Sequence, residues 1–167
     1  MVDTRTLHGV DDLLEKFKSL PPEIVSKRGG PVKSALRKGA VLIQKAAKAN
    51  IRRVVANTED AGYTSTKVLE EAVVVRRDPN PQRAGASERY RVLVARGRKY
   101  EGRLNKGKPV TAIMTARYLE FGTEDQPAEP WLTPAYMSEK ERAVETIVSD
   151  LGKGIDRIVK KLESGKK

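Results

Sequence analysis

The sequence predicts an α+β fold: long helices packed on one face of a small, mainly antiparallel sheet. Three observations carry this. Two long stretches place apolar residues at helical spacing, short β-branched runs bounded by proline and glycine lie between them, and the order is helix, helix, strands, helix. No internal repeat or linker divides the chain, so residues 1–163 read as one domain, with a frayed tail at 164–167.

Val10, Leu13, Leu14 and Phe17 recur at helical spacing, with Asp11 and Asp12 where a helix dipole favours acids. Leu20-Pro21-Pro22 stops that helix, and Gly29-Gly30 is a second break. Pro31 suits a first helical position. From it, Val32, Leu36, Ala40, Ile43, Ala47 and Ile51 form the apolar stripe of a dominant helix over 31–53, its alanines allowing close packing. Residues 57–66 read as a loop, 68–77 as a strand and Asp78-Pro79-Asn80-Pro81 as a turn. The polar stretch 82–87 reads as mobile.

Tyr90, Val92 and Val94 alternate with polar neighbours, predicting a half-buried strand. The basic stretch 97–108, with Gly97, Gly102 and Gly107, reads as a long flexible hairpin loop. A short strand is expected at 110–113, while 114–121 fits helix or strand. Proline rules predict extended chain over 126–130. Finally, Ala143, Val144, Ile147, Val148, Leu151, Ile155, Ile158, Val159 and Leu162 define a long amphipathic helix over 134–163. Gly152 and Gly154 each cost it up to about 1 kcal/mol, marking a kink or a close contact.

The net charge of +11 favours acidic partners, nucleic acid first among them. From Lys27 through Arg53 there are nine basic residues and no acid. A second basic stretch runs from Arg76 to Lys108, opposed only by Asp78, Glu88 and Glu101. Lys33, Arg37, Lys45, Lys48 and Arg52 flank the stripe of the dominant helix; with Arg98, Lys99 and Arg103 they are the candidates for phosphate or inter-subunit contact. The alternative is a solvated face whose lysine stems cover apolar surface. No zinc finger or aromatic RNA-binding motif accompanies the charge, so contact with DNA is expected to be nonspecific. No apolar run approaches the roughly 20 residues of a membrane helix, and the first residues lack the apolar core of a signal peptide.

Catalysis is not expected. The single histidine, His8, sits in a polar segment and would have to serve any Ser–His–acid or Cys–His arrangement. Glu59-Asp60 and Glu124-Asp125 are adjacent acids that point apart in turn-like sequence, which disfavours a magnesium site built on Glu59, Asp60 or Glu120. There are no cysteines, and Gly29-Gly30 lacks the spacing of a phosphate loop. No cofactor or metal is implied.

The most distinctive segments are Tyr118-Leu119-Glu120-Phe121-Gly122-Thr123 and Pro127-Ala128-Glu129-Pro130-Trp131-Leu132-Thr133-Pro134-Ala135, ahead of a terminal helix. Their order and spacing resemble the "gene product ten" tail-component family of lambdoid siphophages, which includes neck and tail-completion proteins. The Val-Asp-Asp-Leu-Leu opening, the Leu-Pro-Pro-Glu-Ile turn and the long helix ending Ala-Lys-Ala-Asn add to the resemblance, which spans nearly the whole chain. The family's Thr-Gly-x-Leu segment after the long helix is replaced here by Gly62-Tyr63-Thr64-Ser65-Thr66-Lys67-Val68-Leu69.

The resemblance implies a virion protein made in the host cytoplasm: a subunit of a homo-oligomeric ring, sixfold like the tail tube, at the head-proximal end of the tail. Its implied partners are copies of itself, tail-terminator, tail-tube or head-closure proteins, and DNA crossing the channel. Within the signature, Gly122 can take a positive φ, Pro127, Pro130 and Pro134 stiffen an extended crossing, and Trp131 and Leu132 can anchor it in the core. Glu120 reads as a structural hydrogen-bonding group or an intersubunit ion-pair partner. The rival expectation from charge is a nonspecific nucleic-acid-binding protein.

Overall fold

A computed structural model describes residues 30–59 and 66–164. The predicted helix over 10–17, the Pro21-Pro22 stop, His8, Gly29, Asp60 and the replaced segment up to Ser65, and the tail residues 165–167 lie outside the described residues. So do the side chains of 57–59 and Leu162.

In chain order the elements are α1 (Gly30–Glu59), α2 (Val68–Ala72), β1 (Val73–Arg77), a 3₁₀ turn (Pro81–Ala84), β2 (Tyr90–Val94), β3 (Lys99–Asn105), β4 (Lys108–Thr111), α3 (Ala112–Phe121) and α4 (Leu132–Ser164). The fold class is α+β. Two corrections concern its sheet. The strands form two separate antiparallel pairs, β1–β2 and β3–β4, where one sheet was expected. The expected strand over 68–77 is helix for its first half: Leu69 and Ala72, three apart, bury one side of α2, and Glu70 and Glu71 sit in its first turn. The strand begins only at the valine run, Val73-Val74-Val75.

The chain divides into two compact units. In the first, whose described residues are 30–39 and 142–164, Ala35, Ala143 and Ile155 are buried. Gly39 and Gly154 are close-contact positions. A Cβ on Gly39 would lie 2.6 Å from Ile147 Cδ1, and one on Gly154 would lie 2.8 Å from Pro31 Cβ. The helical glycine at 154 therefore marks close packing. Asp150 accepts hydrogen bonds from Ser34 Oγ and Lys38 Nζ.

The second unit is residues 40–141. Its core joins Ala47 and Ile51 of α1, Leu69 and Ala72 of α2, Val73 of β1, Ala112 and Ala116 of α3, then Trp131 and Ala135. Val92 and Val94 of β2 pack against this cluster, so α1 covers the β1–β2 pair, and Gln44 Nε2 donates to Val73 O at 2.8 Å. The small alanines bring backbones together while Trp131 and Ile51 fill the space between.

The stretch expected as a flexible loop over 97–108 is a second hairpin. Lys106 and Gly107 both have positive φ, 49° and 75°, which is the backbone of a two-residue I′ turn. Asn105 faces Lys108 across it, and an irregularity between Lys99 and Leu104 contains Gly102 at φ 66°. The region left open between helix and strand is the helix α3, started by Thr111, whose Oγ1 accepts from Met114 N at 3.3 Å.

Candidate functional site

The resemblance-bearing residues build a corner between α3 and α4. At the end of α3, Gly122 N donates to Tyr118 O at 2.8 Å, and Gly122 takes φ 74°, ψ −177°, a region open essentially to glycine alone. A Cβ there would meet Gln126 O at 2.9 Å and Ala128 N at 3.0 Å. The chain then folds back: Thr123 N donates to Gln126 O, and Glu129 N to Leu119 O, each at 2.8 Å. This return places Trp131 over α3, 2% exposed, with Nε1 donating to Ala116 O at 3.0 Å.

Glu120 closes the corner. Helix α4 opens Trp131-Leu132-Thr133-Pro134, and a helix N-terminus leaves its first backbone N–H groups without internal acceptors. Trp131 cannot cap them with its side chain, and Pro134 has no N–H to satisfy. The remaining three donors all reach one carboxylate. Glu120 Oε2 accepts from Trp131 N at 2.9 Å and Leu132 N at 2.8 Å; Oε1 accepts from Thr133 N at 2.9 Å and from Thr133 Oγ1. Asn50 Nδ2 of α1 donates to Trp131 O at 3.0 Å and ties the same corner to the long helix.

Burial alone would raise the Glu120 carboxyl. The Thr133 hydroxyl and the backbone N–H groups of Leu132, Trp131 and Thr133 outweigh it and hold the group below its ordinary value. Glu120 is thus an ionised structural cap. Within the signature, Leu132 is half-buried, while Thr123, Pro127, Pro130 and Pro134 are exposed. Tyr118 enters the corner only through its backbone carbonyl, and Phe121 makes no hydrogen bond there. Tyr118 is 38% and Phe121 77% exposed, which places these two signature aromatics at the surface.

The basic candidates divide. Arg37, Lys45 and Arg52 are exposed, and Lys33 and Lys48 half-buried. Arg52 pairs with Glu70 of α2 at 2.7 Å and so is committed within the fold. On β1–β2, Arg77 holds Glu88 at 2.6 Å, and Arg89 and Arg91 flank the buried Asp78 at 3.6 and 3.5 Å. Three of the eleven basic residues of the second stretch are therefore paired with two of its acids. The β3–β4 hairpin is different. Arg98, Lys99 and Arg103 are exposed, as are Lys106 and Lys108. Arg103 lies over the Tyr100 ring, 5.6 Å from its centroid.

The acids Glu124 and Asp125 are exposed in the turn after Gly122. Among the described residues no group of three or more His, Cys, Asp or Glu could hold a metal ion, and no helix is long and apolar enough to cross a membrane. Comparison of the chain with protein-family models, curated proteins and solved structures gives no significant match.

Sequence reasoning missed Asn50 as a corner residue and the pairing of Arg77, Arg89 and Arg91. Asn50 does carry a signal, since it is the polar end of the Ala-Lys-Ala-Asn run on an otherwise apolar stripe.

Proposed function

We propose that this chain is a non-enzymatic structural subunit of the head-to-tail connection of a tailed phage. It forms a homo-oligomeric ring that completes the tail and joins it to the head around the DNA channel. The observation that carries this reading is the corner. Within the distinctive segment, the Glu120 carboxylate is taken up by three backbone donors and a hydroxyl of the residues that follow it, so this acid serves shape. Such a corner fixes the start of α4, and Tyr118 and Phe121 beside it are exposed, as a subunit that continues burying surface on assembly requires.

The test is a tagged chain located by labelled electron microscopy of virions. Label at the neck is expected, and label elsewhere or none refutes the reading. Reversing the charges of Arg98, Lys99 and Arg103 together is expected to impair head–tail joining or DNA retention with the fold intact. Normal infectious particles would remove the hairpin from the proposal.

One observation favours the second reading, a nonspecific nucleic-acid-binding protein: the basic hairpin residues Arg98, Lys99, Lys106 and Lys108 have no acidic partner among the described residues. Tight retardation of duplex DNA by the free protein, with a steep salt dependence, would support that reading over the ring.

A further inference from the structure

Two surfaces of the second unit are incomplete in complementary ways. Leu104 on the β3–β4 hairpin, 68% exposed, and Phe121 at the end of α3, 77% exposed, are the two most exposed large apolar side chains among the described residues. Leu104 is framed by Arg103, Lys106 and Lys108. Phe121 is followed by Glu124 and Asp125, and from Tyr118 to Glu139 the chain has no basic residue. Neither Lys106 and Lys108 nor Glu124 and Asp125 find an ion-pair partner among the described residues. The hairpin is exposed along Glu101–Leu104 and again at 106–109, and a two-stranded ribbon is marginal without further packing.

We infer that the hairpin tip around Leu104 docks on the Phe121 corner of a second copy of this chain, with Lys106 and Lys108 of one copy facing Glu124 and Asp125 of the next. Apolar contact at the centre and opposite charge at the rim is the anatomy of a specific interface. The two patches are different parts of the surface, so the contact can repeat head-to-tail, and repeated copies close into a ring when the rotation allows. The inference rests on the ring reading above and assigns its contact. The basic hairpin then faces a neighbour in the ring.

The chain contains no cysteine, so thiols can be placed beside each patch without touching Leu104 or Phe121. Full-length Asn105→Cys and Thr123→Cys proteins are mixed at high concentration and treated with a short bis-maleimide linker. The mixture is expected to give several-fold more covalent dimer than either protein alone. Adding Lys106→Glu and Lys108→Glu to the first protein should lower the yield about tenfold by facing like charges. Adding Glu124→Lys and Asp125→Lys to the second should restore it.

A mixed yield no higher than the single-protein controls overturns the contact, as does a yield indifferent to the charge reversals. If the reversed hairpin keeps the crosslink but loses DNA retardation, the hairpin faces nucleic acid and the inference fails. The crosslink reads the contact alone, and the virion label reads the neck assignment alone, so either can fail without the other.

Discussion

Glu120 is the residue on which the corner depends, and its removal can be worked through. In Glu120→Ala the N–H groups of Trp131, Leu132 and Thr133 lose their acceptor, and nothing in the first turn of α4 replaces it. The Trp131 donor is buried, and leaving it unsatisfied costs about 2 kcal/mol. The other two are half-buried and can recruit water, at about 0.5–1 kcal/mol each, the range of a lost helix cap. The sum is about 3–4 kcal/mol, or a fall in Tm of roughly 10 °C for a chain this size. Glu120→Gln keeps one acceptor oxygen but loses the charge, so about half that loss is expected.

The pH dependence separates a charged cap from simple packing. The folded-state carboxyl lies below its ordinary value, so its contribution is fully present above the ordinary carboxylate range. It is lost as pH falls through the lowered folded value. Urea denaturation of wild type and Glu120→Gln, followed by circular dichroism from neutral pH into acid, should show their stabilities converging. An alanine variant that loses less than about 1 kcal/mol, or a wild type–glutamine gap that does not narrow in acid, would refute the cap.

Three further outcomes follow from the same geometry. Gly122→Ala forces a side chain into a glycine-only conformation and against Gln126 O at 2.9 Å; a loss of about 3 kcal/mol in urea denaturation is expected. Trp131 is the single tryptophan, so native emission should be blue-shifted and move red on unfolding, and Trp131→Phe, without the bond to Ala116 O, should be about 1–3 kcal/mol less stable. Gly39→Ala should destabilise by about 1 kcal/mol in thermal melts despite its better helix propensity, because its Cβ meets Ile147 at 2.6 Å and Ala143 O at 3.0 Å, whereas Gly30→Ala, with nothing within 4 Å, should be neutral.

Much of the fold was legible in the chain. The long helices α1 and α4 show in their apolar spacing, because a helix must turn one stripe inward over many residues. The β1–β2 pair shows in the valine run and in the alternation at Tyr90–Val94. The corner was legible in part: Gly122, Trp131 and the prolines announce a turn and an anchor by chemistry that needs no neighbour.

Other features were decided only in three dimensions. The β3–β4 hairpin has almost no apolar pattern, and its turn, Lys106-Gly107, is not a dipeptide that signals a hairpin; pairing and the αL freedom at Gly107 make it. Helix α2 exists because Leu69 and Ala72 meet the core of the second unit, and the chain turns to strand only at the valine run that follows. That Glu120 caps a helix eleven residues further on, and that Arg77, Arg89 and Arg91 reach acids while the hairpin cations reach none among the described residues, depends on which groups the tertiary fold brings within hydrogen-bond or ion-pair distance. The sequence by itself determined that the chain is helical and α+β, basic, and built around a Gly–Trp–Pro corner, because those properties are local or additive. Tertiary structure alone decided which charges remain free and which aromatics face outward, because both depend on neighbours distant in the chain.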